Sequence, residues 1–170
     1  AAGFIRMLMK AGHLSVLEHA WVTVRLRGVS RALTHQLVRH RLCSFSQQSQ
    51  RYVKEDNFSY VIPPKIKEKE EAKNIFTTCM GQIETAYRMF LALNIPREDA
   101  RYVLPNSCQT EIVFSCNFRQ LRHMVKLRGE SRAQWEIREV FIEILKKMKE
   151  MHYVFLNISI LQGQIPLLMG

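Results

Sequence analysis

Residues 35–52 read HQLVRHRLCSFSQQSQRY, a run with three arginines, two histidines, four glutamines and three serines among few large apolar side chains. A guanidinium presents a rigid planar fork of donors that matches a phosphate or the carbonyl edge of a pyrimidine, and Ser and Gln add neutral donors and acceptors around it. This composition predicts a pocket for an anionic, hydrogen-bond-rich ligand and not a piece of core. Arg39 and His40 are expected on a helix, pointing about 100° apart, with a polar loop after Leu42 folding back over them. A lone histidine is ordinarily a satisfied, partly buried side chain; flanked by two arginines, His40 reads as a ligand contact. Ser49 has no His/Asp pair placed to activate it, so it reads as a hydrogen-bond donor and not as a nucleophile. His13 and His19 are joined by no cluster of carboxylates or cysteines, and no metal is expected.

The chain has 170 residues, with 25 Lys and Arg against 15 Asp and Glu and a net charge of +10. Such an excess calls for an anionic partner. Its distribution is uneven: KIKEKEEAK at 65–73 mixes both signs as a solvated helix face does, whereas residues 25–54 contain no acid at all. Apolar residues at 47% and charged residues at 24% exclude a disordered, collagenous or low-complexity chain. No apolar run approaches the roughly 18–20 residues of a membrane span, and no basic stretch leads into a signal segment, so a soluble, cytoplasmic protein is expected. Cys43, Cys79, Cys108 and Cys116 show no CxxC pair, and reduced thiols are expected.

No linker or internal repeat divides the chain, which reads as one domain over 1–170. AWVTVRLR at 20–27 alternates Ala20, Val22, Val24 and Leu26 against Trp21, Thr23, Arg25 and Arg27, a half-buried strand closed by Gly28. Ser30 is placed to cap a helix through about Leu42, with Leu33 and Leu37 inward. Apolar residues at helical spacing over 66–93 (Ile66, Ile75, Phe76, Ile83, Tyr87, Phe90, Leu91) predict the longest helix, ending before Pro96. A short helix follows to Val103, closed by Leu104-Pro105. TEIVFSC at 110–116 reads as a second strand. Asn117 then caps a helix over Phe118–Leu127, with Leu121, Met124 and Val125 as its stripe and Gly129 as terminator. Ser131 and Gln134 match a capping box for a last helix through about Tyr153. Arg122, Lys126 and Arg138 read as solvated, and Trp21 and Trp135 as packing residues. The fold class is α/β (α+β), a central mixed or antiparallel sheet with long helices. The opening AAGFIRMLMKAGH reads as the tail of a helix, so a leading strand is expected to be missing or encoded elsewhere.

Arg39-His40-Arg41, seven residues and then Ser49 form an RHR-x7-S pattern followed by Gln50-Arg51-Tyr52. This resembles the signature of the flavin-dependent thymidylate synthases. HLSVLEH at 13–19 resembles that family's upstream flavin-contacting segment, and ARYVLP at 100–105 its phosphate-binding arginine segment. NFRQL at 117–121 with LRGESRAQWE at 127–136 resembles its C-terminal site, so the likeness runs nearly the whole chain in order. It implies reductive methylation of dUMP to dTMP, with methylenetetrahydrofolate as carbon donor and NADPH-reduced FAD as hydride carrier. Carried over by position, the flavin touches His13, Ser15, Glu18, Arg39, His40, Arg41, Gln47, Asn117, Arg119 and His123. The nucleotide falls to Gln36, Gln47, Gln48, Ser49, Gln50, Arg51, Arg101 and Arg128. The resemblance also implies a homotetramer with sites shared between subunits, no enzyme nucleophile, no membrane and no specific nucleic acid. Gln47 stands where the family commonly has Glu, Gln50 where Gly often appears, and Arg132 where relatives have His.

The physical reading assigns Arg128 a catalytic part. C5 of uracil is a poor nucleophile until electron density is pushed into the ring, and a fixed cation near N3 and O2 stabilises the charge that develops. Arg51 and Arg101 are left for the phosphate dianion, and Arg39 and Arg41 for the FAD pyrophosphate. The alternative is a basic RNA or single-strand-binding module, with Phe45, Tyr52, Phe58 and Tyr60 as stacking platforms among the cations. A yellow protein that releases FAD on denaturation separates the first reading from a colourless one whose oligonucleotide affinity falls steeply with salt.

Overall fold

The structure, a computed structural model, describes residues 2–50 and 59–151. Arg51, Tyr52, Phe58 and Tyr153, each assigned a part above, lie outside the described residues. Helix α1 (Ala2–Lys10) leads through a 3-10 turn at Ser15–Glu18 into β1 (Trp21–Ser30) and α2 (Arg31–Leu37). Strand β2 (Ser44–Gln47), α3 (Pro64–Lys67), α4 (Glu70–Ala92) and α5 (Arg97–Ala100) follow, the last running into a second 3-10 turn at Arg101–Val103. Strand β3 (Gln109–Asn117), α6 (Phe118–Arg128) and α7 (Trp135–Glu150) complete the order. The fold is mixed α/β, with one three-stranded sheet in the order β1-β3-β2 among the described residues.

Side-chain pairs give the register of β1 on β3. Thr23 Oγ1 lies 2.8 Å from Ser115 Oγ, and Arg27 Nε donates to Glu111 Oε2 at 3.1 Å. Advancing along one strand retreats along the other, so the pair is antiparallel. Along β3, Thr110, Ile112, Phe114 and Cys116 are buried while the residues between them are half-buried. Along β1, Val22, Val24 and Leu26 turn inward and Trp21, Thr23, Arg25 and Arg27 outward, as the alternation predicts. Gly28 does not end this strand. It adopts φ +69°, a conformation that costs glycine little, and the inward phase then shifts by one residue to Val29, as at a bulge.

Other expectations are corrected. Helix α2 begins as read, with Ser30 Oγ accepting from the Leu33 N–H at 3.0 Å, but stops at Leu37 instead of Leu42. Beyond Leu37 no apolar stripe continues, and the His40 N–H closes a tight turn onto Leu37 O at 3.1 Å. Arg39 and His40 therefore stand in a turn, and the polar stretch that follows is strand β2. The helix expected over 66–93 is two helices: Lys69 is extended between them, because residues 68–71 offer nothing apolar to bury. Met80 and Tyr87 are its buried side chains, whereas Ile75 and Phe90 are exposed. The last helix is capped by Gln134, whose Oε1 accepts from the Ile137 N–H at 3.1 Å; Ser131 stands in the preceding turn. Gly129 terminates α6 as expected, with a right-handed φ of −80°. Arg138 is buried, not solvated, and Arg122 is half-buried.

The chain groups into two compact units, with β1 and β3 each contributing to both. The first comprises, of the described residues, 2–24, 37–44 and 114–151. Its buried side chains include Leu17, Phe114, Leu121, Met124, Ile137 and Phe141. The second comprises 25–36 and 45–113 with 51–58 not described. It buries Leu26, Leu33, Met80, Tyr87 and Ile112. No helix among the described residues is long and apolar enough to cross a membrane.

Candidate functional site

In the first unit the site is built on the junction of β3 and α6. Asn117 ends the strand in an extended conformation, and its side chain accepts from the Gln120 N–H at 2.9 Å, satisfying a donor the first helical turn leaves over. The Phe118 N–H is taken up by Ala20 O at 3.0 Å. With Leu121, Met124 and Val125 fully buried, the remaining faces of α6 carry Arg119, Gln120 and His123 into a cleft of about 810 Å³. Glu18, Trp21, Arg41, Leu42, Cys43 and Ser44 supply the other walls.

Arg119 forms an ion pair with Glu18, and both side chains are about half exposed. Such an exposed pair adds little to stability; its consequence is orientation, since the carboxylate holds one edge of the guanidinium and leaves the other donors to a ligand. Arg41 is exposed on the same cleft. Two guanidiniums against one carboxylate, beside the N-terminal turn of a helix, make the cleft a place for anions. Trp21 is 62% exposed on the cleft wall. It is a ring in reach of a ligand and not a packing residue as the sequence suggested.

Behind this cleft, His40 is only 6% exposed. Its Nε2 accepts a hydrogen bond from Arg128 Nε at 3.0 Å, so the imidazole is neutral, with its proton on Nδ1. The His123 ring stands edge-on, 6.4 Å away. Burial first, then the positive charge of Arg128 and then His123, push the His40 pKa down from 6.5 to about 4. The unfolded chain therefore binds more protons than the folded one between those values, and stability falls as the pH is lowered through the window from 6.5 to about 4. His40→Gln keeps an acceptor for Arg128 and cannot titrate. Urea midpoints measured across that window should fall less steeply with acid in the variant; identical slopes would remove His40 as a source of acid lability.

Burial pushes the Cys43 thiol up and the Cys116 thiol up to about 12. Both therefore rest as protonated thiols at neutral pH and react only through the small fraction that ionises.

The predicted residues separate between the units. Glu18, Arg41, Asn117, Arg119 and His123 come together on the cleft. Arg39 is exposed in the turn before His40, while His13 and Ser15 are exposed at and just before the 3-10 turn that carries Glu18; none of the three is on the cleft wall. His40 sits against Arg128, which is half-buried at the end of α6. In the second unit, Gln36 is half-buried on α2 and Gln47 Nε2 donates to Thr34 Oγ1 at 3.0 Å. Gln48 O accepts from Arg31 Nη2 at 2.7 Å, and Ser49 and Gln50 are half-buried beside it. Arg101 opens the second 3-10 turn, with Nε donating to Glu98 O at 3.1 Å. Leu42, Cys43, Ser44 and Gln120 were missed as cleft residues. Gln120, buried at 8% exposure, was legible from its place three residues after the capping Asn117.

The profile of the thymidylate synthase complementing protein family matches residues 1–152. The chain is similar to the flavin-dependent thymidylate synthase of Clostridium tetani, 44% identical over 163 residues that cover 86% of this chain and 66% of the relative. It is 46% identical over 148 residues to that of Geobacter sulfurreducens, covering 86% and 64% of the two chains. For the Pyrococcus furiosus relative, 43% identity extends over 141 residues, covering 81% and 58%. The chain thus spans just under two thirds of the length of the curated relatives it matches.

Proposed function

Because this chain belongs to the thymidylate synthase complementing protein family, that of the flavin-dependent thymidylate synthases, we propose that it methylates dUMP reductively to dTMP. Methylenetetrahydrofolate is the carbon donor in this reading, and NADPH-reduced FAD the hydride carrier. The observation that carries it is the cleft with its paired cations and exposed indole. A volume of about 810 Å³ lies within the range of small-molecule sites, and the donor set suits a ligand with both a pyrophosphate and a flat ring. When bound there, FAD supplies hydride transfer.

The chain's own residues do the rest. Arg41 and Arg119 hold phosphate oxygens, and Glu18 keeps the Arg119 fork turned toward them. Asn117 and Gln120 fix the first turn of α6, and Trp21 covers a ring face. His40, neutral and accepting at Nε2, orients the Arg128 guanidinium. Arg128 stabilises negative charge on the uracil ring as C5 becomes nucleophilic. Arg101 and the Gln36, Gln47, Gln48, Ser49 and Gln50 set bind the nucleotide. Assembly as a cytoplasmic homotetramer with shared sites, and the absence of a nucleic-acid partner, belong to the same proposal.

Tritium release from C5-labelled dUMP, with NADPH and methylenetetrahydrofolate present, tests the reaction. Release is expected to depend on added FAD. Titration with FAD is expected to quench tryptophan fluorescence, and Trp21→Phe to remove most of that quenching. No release in the complete mixture overturns the proposed reaction; undiminished quenching in the variant overturns the placement of the flavin ring at Trp21.

A further inference from the structure

Two thiols, Cys43 on the wall of this cleft and Cys116 behind it, have no part in the chemistry proposed above. The Gln48 N–H donates to Glu111 O at 2.9 Å, which sets the register of the β2 segment on β3. Counting back from Gln48, and forward by the same number of residues from Glu111, brings Cys43, just before β2, opposite Cys116 near the end of β3. Burial agrees with this register, since Gln47, which faces inward toward Thr34, falls opposite fully buried Ile112. Positions an odd number of steps from a hydrogen-bonded pair in an antiparallel ladder are non-hydrogen-bonded pairs, whose Cα atoms stand about 4.5 Å apart. Disulfides bridge Cα separations of roughly 4.4–6.8 Å.

Side-chain contacts bring the same two sulfurs together. The Cys43 and Cys116 thiols hydrogen bond with one another, and Cys43 Sγ also lies 3.4 Å from Met124 Sδ. Both cysteines are reduced in this structure. Access is unequal: Cys43 is half-buried on the cleft wall, and Cys116 is fully buried behind it.

We propose that Cys43 and Cys116 form a reversible oxidation site, which a small-molecule disulfide such as oxidised glutathione converts into a cross-strand disulfide. The Cys43 thiolate, reached through the cleft, attacks one sulfur of oxidised glutathione. A mixed disulfide forms and one glutathione leaves as its thiol. The Cys116 thiolate then attacks the Cys43 sulfur, forming the intramolecular bond and expelling the second glutathione. The two protons lost by the cysteines end on the two released glutathione thiols, and the two electrons lost by the cysteines reduce the original disulfide. Dithiothreitol reverses the sequence.

The test uses the full chain in a Cys79→Ser background, which removes the exposed thiol. After incubation with oxidised glutathione, intact mass is expected to fall by one hydrogen molecule. Non-reducing digestion should join the Cys43 peptide to the Cys116 peptide, and dithiothreitol should restore the starting mass. Adding Cys116→Ala, or Cys116→Ser if the first does not fold, should leave Cys43 holding one glutathione with no resolving partner. Full alkylation of both cysteines after the oxidant, a bridge from Cys43 to Cys108, or a stable glutathione adduct on Cys43 while Cys116 is present would each overturn the proposal.

Discussion

Arg128→Ala is expected to lower dTMP formation by about 10²- to 10³-fold, the range for deleting one charge-stabilising donor from a preorganised site, while the protein keeps its flavin. The expectation follows from where Arg128 stands. It is half-buried at the C-terminal end of α6, its Nε is committed to His40 at 3.0 Å, and it is not on the wall of the cleft that holds Arg41 and Arg119. With Nε fixed by the imidazole, the outer edge of the guanidinium points in one direction without ordering at the moment of reaction, which is what electrostatic preorganisation requires. Arg128→Lys should recover little, because an ammonium retains charge but loses the planar fork and the Nε–H that His40 anchors. His40→Ala should reduce kcat less than Arg128→Ala, as removal of an orienting group does. Single-turnover rates with flavin absorbance recorded in the same samples check this. Near-normal turnover in Arg128→Ala removes the residue from the mechanism, and loss of flavin in step with loss of rate assigns it to the cleft instead.

The elements around α6 were legible because several local signals agree there. Asn117 caps, the Leu121/Met124/Val125 stripe is continuous, and TEIVFSC alternates just before it; the structure places β3 and α6 within a residue or two of those limits. Strand β2 was hidden because Ser44-Phe45-Ser46-Gln47 is short and polar and exists through its pairing with β3, which no local window reveals. The same blindness extended α2 to Leu42. It also hid the partner of His40, a guanidinium that lies 88 positions away in sequence. At the site, Arg119 and His123 were found by family likeness, and Trp21 was misread despite a usable clue. The alternation had already put Trp21 on the polar side of β1 with Thr23, Arg25 and Arg27, where a large ring has no core to fill. Leu42, Cys43 and Ser44 approach the cleft from a turn whose path depends on the strand that follows it.

Phe141→Ala is expected to cost about 3–5 kcal/mol of folding stability, the range for emptying a buried aromatic site. For a chain of this size that corresponds to a fall in Tm of roughly 6–20 °C. Phe141 is fully buried on α7, in line with Ile137, Ile144, Leu145 and Met148 on the helix's inner face. Its ring centroid lies 6.4 Å from that of Phe114, also fully buried, at an interplanar angle of 36°. The cavity would open beside β3, three residues before Asn117, the cap from which α6 carries Arg119 and His123 into the cleft. Stability and ligand binding are therefore coupled through that strand end. Phe141→Leu, which keeps most of the volume, should cost much less than the alanine variant. Because the two rings share a contact, Phe114→Ala combined with Phe141→Ala should cost less than the two single losses taken together. Urea unfolding of the four variants and the parent checks the set. A loss below about 1 kcal/mol for Phe141→Ala, outside the range for a buried aromatic, would mean that α7 does not pack on β3 through this ring, and that the end of β3 is positioned by other contacts.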